Sequence, residues 1–209
     1  MKKAGTPAYW KRATRELGAA DPVMNGLIVR YRGLTMASRG DAFQTLARSI
    51  IGQQISVKAA QSVWERFAGA VGEMQPKRVL KLSEEQLRGC GLSGQKVKYL
   101  RDLSERFAGG AIDVARWHDM DDEALITDLT QVKGIGRWTA EMFLMFYLTR
   151  PDVFPLGDLG LQRAMSLHYN KGRPLPERRV AALGRLWSPW RSVATWYLWR
   201  SLDPIPVEY

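Results

Sequence analysis

The sequence contains very few of the side chains that hold structural metals or form disulfide bonds. Among its 209 residues, Cys90 is the only cysteine, and His118 and His168 are the only histidines. A single thiol excludes an internal disulfide and any site that needs four cysteines, such as an iron–sulfur cluster. We therefore expect no iron–sulfur cluster and no required cofactor.

Long apolar runs are also missing, and acidic residues are outnumbered by basic ones. No stretch of 18 or more apolar residues occurs, and the charged amino terminus lacks the apolar segment of a signal peptide. We expect an intracellular protein with no membrane partner. Lysine and arginine total 31 against 21 aspartates and glutamates, which gives a formal net charge of +10. That excess favours a polyanionic partner, with nucleic acid ahead of an anionic membrane surface.

Helical periodicity recurs along the chain, whereas alternating strand patterns are scarce. Asp21 and Ser56 each precede an apolar-periodic segment as an N-cap, and Ser83 begins a capping box. The pattern predicts an all-α fold of many short helices, with its strongest break near Pro151. The clearest predicted helices cover residues 21–31, 41–51, 56–67, 83–91 and 95–110.

Gly134 and Gly136 lie between two predicted helices, in the segment "VKGIGRWTAEMFLMFYL". This context lacks the preceding strand and the third glycine of a dinucleotide site. Glycines on both sides of Ile135 allow a tight turn that Ile135 can fill, and N–H groups at the start of the second helix can bind a phosphate oxygen. An ordinary corner between helices, with glycines that serve geometry alone, remains the alternative.

Asp158 stands in the segment "PLGDLG", immediately before a helix predicted to begin near Leu159. An aspartate at this place caps the helix. The same placement holds a carboxylate ionised beside helix amides, where it can stabilise the positive charge that grows on a sugar as an N-glycosidic bond breaks. Capping and catalysis are compatible, so both interpretations stay open.

Four motifs, in order, resemble the helix-hairpin-helix DNA glycosylases, specifically the AlkA-type 3-methyladenine DNA glycosylase group. They are "SIIGQQISVKAA", "GIGRWTAE", "PLGDLG" and "WSPWRSVATWYLW". The resemblance runs from about Asp21 to Leu202 and implies two all-α lobes with a substrate cleft between them. Residues 41–150 would form the lobe with the helix-hairpin-helix. Residues 1–40 and 151–209 would form the second lobe, which carries the catalytic aspartate.

The resemblance implies a monofunctional DNA glycosylase of base excision repair, which flips an alkylated purine of the 3-methyladenine type from duplex DNA and hydrolyses its N-glycosidic bond. Asp158 matches the family's catalytic aspartate. Trp138 stands where bifunctional relatives carry a Schiff-base lysine, and Trp199 matches an aromatic residue that stacks on the flipped base. Met142, where some members have tyrosine, and Gln53 complete the implied base pocket. The other tryptophans are expected in the core.

The resemblance also implies a DNA-binding surface and a structural cation. A wedge that fills the place of the flipped base is expected between Leu92 and Gln95. For Gln53, Gln54, Ser56 and Lys58, a cap with a solvated face is as good an interpretation as a DNA-facing one. The implied DNA contacts are Lys133, which replaces the family's usual proline, Gly134, Ile135, Gly136, Arg137 and Thr139, with Leu92, Ser93 and Gly94 as wedge candidates. The carbonyls of Thr130, Val132 and Gly134 match a Na⁺ or K⁺ site.

The expected partner is double-stranded DNA with damaged bases, bound by a monomer that is DNA-associated, in the cytoplasm or nucleoid if the source is bacterial. Two alternatives stay open. One is a non-catalytic helix-hairpin-helix DNA-binding protein, and the other is a bifunctional glycosylase/lyase, although Trp138 leaves no lysine at the expected place.

Overall fold

The structure is a computed structural model that describes residues 5–38 and 41–202. These residues form α-helices and one 3₁₀ helix and contain no β-strand, which confirms the all-α prediction. None of the helices has the length and apolar character that a bilayer crossing requires. The helices are α1 Trp10–Ala20, α2 Pro22–Arg30, α3 Ala42–Gly52, α4 Val57–Val71, α5 Pro76–Lys81, α6 Glu84–Gly89, α7 Gly94–Ala108, the 3₁₀ helix Val114–His118, α8 Asp122–Leu129, α9 Arg137–Phe146, α10 Leu159–Tyr169, α11 Glu177–Leu186 and α12 Arg191–Leu202.

The described residues divide into two compact units. One unit, residues 41–143, contains α3 to α8 and most of α9, and we call it the hairpin unit. The other unit, residues 5–38 and 144–202, contains α1, α2 and α10 to α12, and we call it the aspartate unit because it holds Asp158.

The hairpin unit is built around α7, which packs against α3, α5 and α6. Val97, Leu100 and Leu103 of α7 are buried at helical spacing, as the sequence predicts. This helix begins at Gly94, slightly earlier than predicted, because the Ser93 hydroxyl accepts a 3.2 Å hydrogen bond from the Lys96 N–H and caps it.

The aspartate unit is built around α12, which packs against α1, α2 and α10 and is buried along most of its length. Trp10 of α1 meets Trp196 of α12 edge to face, with ring centroids 5.2 Å apart. Asp21 caps α2, as predicted, and its second carboxylate oxygen accepts hydrogen bonds from Tyr169 Oη at 2.7 Å and Trp187 Nε1 at 3.0 Å. These bonds satisfy the polar ends of two largely apolar side chains.

Other predicted helix starts are confirmed. Ser56 accepts a hydrogen bond from the Ala59 N–H at the start of α4. Ser83 and Gln86 form both bonds of the predicted capping box at the start of α6.

Candidate functional site

Asp158 lies at the N-terminus of α10, at the end of a turn closed by a 2.9 Å hydrogen bond from its N–H to the Pro155 carbonyl. Its Oδ1 accepts a 2.6 Å hydrogen bond from the Leu161 N–H, so the predicted cap is present. The side chain of Gln162 donates to the Leu156 carbonyl at 2.8 Å and fixes the same turn from the helix side. The carboxylate is therefore held beside the positive end of the helix dipole.

Trp199 of α12 binds the same carboxylate. Its indole Nε1 donates a 2.8 Å hydrogen bond to Asp158 Oδ1, and its ring stacks on Phe146 with centroids 6.1 Å apart and an interplanar angle of 20°. Both the Leu161 N–H and the indole N–H bind one oxygen of Asp158, which fixes the direction of the second oxygen. Trp199 thus orients the carboxylate, a role that the sequence did not predict for it.

The predicted helix–turn–helix is present in the hairpin unit, as α8, residues 130–136 and α9, and we call it the hairpin. Gly134 adopts a φ of +83°, a left-handed conformation that favours glycine. A Cβ atom at Gly134 would lie 2.6 Å from Cγ and Cε2 of the Tyr99 ring and closer still to Cδ2. Ile135 is buried and fills the turn, as predicted. Gly134 is therefore required by both the backbone conformation and the packing.

Gly136 differs from Gly134. Its φ lies outside the left-handed region, and a Cβ atom there would meet nothing within 4 Å. The turn therefore requires glycine at position 134 but not at position 136. The Gly136 carbonyl accepts a 3.0 Å hydrogen bond from the Ala140 N–H, which places Gly136 at the N-cap of α9. A glycine N-cap has no side chain to bind the first-turn N–H groups, and it leaves their surroundings open.

Gln53 holds the hairpin from outside its own sequence, and Lys96 binds the backbone at Gln53. Gln53 Nε2 donates a 2.8 Å hydrogen bond to the Gly134 carbonyl. Lys96 Nζ donates to the carbonyls of Ile51 and Gln53 at 2.7 and 2.8 Å, at the C-terminus of α3, and burial lowers the pKa of its ammonium group. In this structure Gln53 tethers the hairpin, and its place in a base pocket stays a prediction.

Asp102 of α7 fixes the hairpin at Lys133. Its Oδ2 accepts hydrogen bonds from the Lys133 N–H at 3.0 Å and from Arg106 Nε at 2.9 Å. Burial alone would raise the pKa of Asp102, but these two bonds and the charges of Arg106 and Lys133 lower it below its ordinary value. The Lys133 ammonium lies 3.6 Å from Asp102 Oδ1 and remains largely exposed, so it can still meet an anion.

Arg137, a predicted DNA contact, binds two carboxylates. Its Nη1 donates to Glu123 of α8 at 2.8 Å, its Nη2 binds the other oxygen of Glu123, and its Nε donates to Glu141 at 3.0 Å. The hydrogen bond with Glu123, together with the two negative charges, raises the pKa of the guanidinium. Arg137 thus joins the two helices of the hairpin, and a contact with DNA stays a prediction.

The hairpin and the capped Asp158 lie within one stretch of the chain that matches a known family. The sequence profile of the HhH-GPD superfamily of base excision DNA repair proteins matches residues 47–189, which include both the hairpin and Asp158. The chain belongs to the HhH-GPD superfamily.

Several relatives within this superfamily resemble most of the chain. The DNA-3-methyladenine glycosylase 1 of Schizosaccharomyces pombe is 30% identical over 202 residues, which are 95% of this chain and 84% of that protein. A Bacillus subtilis relative is 30% identical over 188 residues, and the chain spans 66% of its length.

Solved structures extend the likeness to the fold. A DNA-3-methyladenine glycosidase from Bacillus halodurans matches with a TM-score of 0.84 and 34% identity, over 91% of this chain and 89% of that one. The S. pombe 3-methyladenine DNA glycosylase in complex with abasic DNA matches with a TM-score of 0.80 and 29% identity, over 95% and 98% of the two chains.

The eight tryptophans of this HhH-GPD protein fall into two groups by exposure. Six of the eight are buried, as expected for core residues. The remaining two are Trp138, which is 39% exposed, and Trp199, which is partly exposed, and these are the two that the sequence selected for the site. Met142 lies one turn after Trp138 on the same face of α9 but is only 3% exposed. Met142 is therefore buried within the hairpin unit, and its place in a base pocket stays a prediction.

Burial changes the expectation for two further side chains, Leu92 and Thr139. Leu92 is 4% exposed and belongs to the core, so it does not supply a wedge. Ser93 caps α7 with its hydroxyl and Gly94 is the first residue of that helix, and their contact with DNA stays a prediction. Thr139 is 6% exposed, because it faces inward on the first turn of α9, and its side chain does not lie on the hairpin surface.

The segment between α3 and α4 is more exposed than Leu92 and Thr139. Gln54 has a φ of +59°, one of three non-glycine residues with positive φ in the described part of the chain. The next residues are exposed, including the apolar Ile55 and Val57. Left-handed backbone at a non-glycine residue stores strain and is frequent at functional sites. Its polar residues were the only feature of the sequence that indicated a DNA-facing role for this segment.

Proposed function

We propose that the chain is a monofunctional DNA glycosylase that releases alkylated purines of the 3-methyladenine type from duplex DNA. The observation that carries the proposal is the Asp158 carboxylate, held by the Leu161 N–H and the Trp199 indole at the start of α10. Four ordered motifs and relatives named as DNA-3-methyladenine glycosylases support the same chemistry.

The fixed carboxylate is suited to N-glycosidic bond cleavage. As the bond between the sugar C1′ and the base nitrogen breaks, its electron pair leaves with the base and positive charge develops on the deoxyribose. A preorganised carboxylate stabilises that charge without reorganising during the reaction. Water then attacks C1′ and releases a proton to the solvent, which leaves an abasic sugar in an intact strand. The carboxylate of Asp158 keeps its orientation throughout, because the two N–H groups that bind it belong to a helix and to a stacked indole ring.

Alkylated purines are the best leaving groups for such a site. A purine methylated at a ring nitrogen carries a formal positive charge and departs as a neutral base, so the reaction needs no general acid. Electron-rich indole rings attract a cation by about 0.5–2 kcal/mol, which favours the charged lesion over its neutral parent base. Trp138 and Trp199 are the tryptophans with accessible surface for this contact.

Strand cleavage is not part of the proposed activity. A lyase step needs an amine that forms a Schiff base with the sugar, and the indole of Trp138 cannot supply one.

The hairpin is proposed to bind the DNA backbone. Phosphate oxygens fit the N–H groups at a helix N-terminus, and the open surroundings of Gly136 allow a strand to approach α9 closely. The exposed ammonium of Lys133 adds a positive charge to the same hairpin. Contacts of this kind are independent of base sequence and weaken as salt increases.

A Na⁺ or K⁺ ion at the carbonyls of Thr130, Val132 and Gly134 remains part of the proposal. The Val132 carbonyl accepts the Ile135 N–H at 3.0 Å, and the Gly134 carbonyl accepts Gln53 Nε2 at 2.8 Å. Each carbonyl oxygen has two lone pairs, so these bonds are compatible with a weakly held monovalent cation. Such an ion would add positive charge to the phosphate-facing turn.

An end-labelled, methylated duplex tests the reaction type. After incubation with the protein, we expect alkali-labile abasic sites, no strand breaks before alkali, and no covalent complex after borohydride treatment. Breaks before alkali or a trapped complex would indicate a lyase. Unchanged DNA would contradict the proposal and would favour the non-catalytic helix-hairpin-helix alternative.

A further inference from the structure

Gly160 lies two residues after Asp158, in the first turn of α10, and has no conformational need to be glycine. Its φ lies outside the left-handed region. A glycine in a helix is less favourable than alanine, because it loses more backbone freedom on folding. The reason for a glycine at this position must therefore be sought in the space around it.

The side chains of Asp158 and Trp199 occupy that space. A Cβ atom at Gly160 would lie 3.1 Å from Asp158 Oδ1 and 3.4 Å from both Cδ1 and Nε1 of Trp199. A distance of 3.4 Å is an ordinary contact, so the indole ring could tolerate the added carbon. The 3.1 Å distance is too short, so the carboxylate oxygen would have to move by a few tenths of an ångström.

Asp158 Oδ1 cannot move freely, because it accepts two hydrogen bonds. The Leu161 N–H lies 2.6 Å away and the Trp199 Nε1 2.8 Å away. A displacement of this oxygen lengthens at least one of those bonds and turns the carboxylate. The direction of the second carboxylate oxygen changes with it.

We propose that Gly160 is a positioning residue for base release: its missing side chain lets the Trp199 indole and the α10 amide hold Asp158 Oδ1 together. Gly160 does not touch the reacting atoms and acts through Asp158. The inference rests on the proposed glycosylase function.

The test is Gly160→Ala, with Gly26→Ala as the matched control. Gly26 is a helical glycine of α2 in the same unit, its φ is ordinary, and a Cβ atom there would meet nothing within 4 Å. Both variants gain helix propensity, which in Gly160→Ala offsets the strained cap bond of Asp158, so neither should lower Tm appreciably. We expect Gly160→Ala to reduce the single-turnover rate of base release on the order of tenfold, since small misplacements of catalytic groups are costly. Binding to an abasic-site duplex should stay unchanged, and Gly26→Ala should match the wild type.

Trp199→Phe separates positioning from a general structural role. Phenylalanine keeps a ring for stacking on Phe146 but removes the N–H donor. If Gly160 acts through this hydrogen bond, the Gly160→Ala, Trp199→Phe double variant should be little slower than the slower single variant.

Three results would overturn the inference. The first is a wild-type rate for Gly160→Ala, and the second is multiplicative losses in the double variant. The third is a Gly160→Ala rate loss matched by a fall in Tm and in abasic-duplex affinity. An inactive wild-type protein would overturn the proposed function and this inference with it.

Discussion

Gly134→Ala should destabilise the hairpin unit through two additive costs. Alanine at a φ of +83° costs roughly 1–2 kcal/mol, because the Cβ atom meets the backbone in the left-handed region. The same Cβ atom would overlap the Tyr99 ring, and overpacking of this kind costs about 1–3 kcal/mol. The expected loss in the free energy of unfolding is therefore about 2–5 kcal/mol, a large part of the roughly 5–15 kcal/mol that is typical of a domain.

Gly136→Ala is the matched variant two residues later. It meets no atom and needs no unusual φ, so it should cost less than about 1 kcal/mol, mainly through the weaker N-cap. Its affinity for undamaged duplex DNA should nevertheless fall, and by the same factor for duplexes of different sequence, because the added carbon faces the approaching backbone.

Urea unfolding followed by tryptophan fluorescence measures the first quantity, and fluorescence anisotropy at several salt concentrations measures the second. Adding Tyr99→Ala to Gly134→Ala should recover the overpacking part and leave the left-handed part, so the two changes should couple by about 1–3 kcal/mol. A Gly134→Ala variant as stable as the wild type would refute the account of the turn. DNA affinity that survives Gly136→Ala unchanged, or that is insensitive to salt, would refute the account of the phosphate contact.

Three other changes probe the surroundings of the site. Gln54→Gly should stabilise the protein by about 1 kcal/mol in urea unfolding, because it relieves a left-handed φ of +59°. The same change should slow base release if the Gln54 side chain enters the duplex. A loss of stability would contradict the inference that the Gln54 backbone is strained. Gln53→Ala removes the 2.8 Å bond to the Gly134 carbonyl and should weaken duplex binding by anisotropy, at a cost of about 1 kcal/mol in stability; unchanged binding would remove the tether. The pKa of Asp102 is lowered in the folded state, so its stabilising contribution is complete above about pH 4 and is lost as the pH falls through the folded pKa. When the free energy of unfolding is measured against pH, Asp102→Asn should reduce the loss of stability in acid. An unaltered pH dependence would show that Asp102 does not cause that loss.

The sequence predicts the local parts of the site because those parts depend on neighbours along the chain. The Asp158 cap needs only an acceptor three residues before the Leu161 N–H, and the Ser83 capping box is equally local. The tight turn follows from glycines between two helices, although the sequence does not tell the left-handed Gly134 from the ordinary Gly136.

The remaining parts depend on residues that are far apart in the chain, and their pairing leaves no periodic signal. The Trp199 indole reaches Asp158 across 41 positions, and Gln53 reaches Gly134 across 81. Leu92 was misassigned for a related reason, since an apolar residue before a helix is equally suited to a core and to an exposed wedge, and only burial separates the two.

Base release by Asp158→Asn tests the central claim most directly. Asparagine caps a helix about as well as aspartate, so the fold and the binding of an abasic-site duplex should be retained. We expect the wild-type protein to release free 3-methyladenine from methylated duplex, detected by chromatography. The folded variant should release essentially none, because it lacks the negative charge that stabilises the sugar cation. Release by folded Asp158→Asn at a rate near that of the wild type would contradict the assignment.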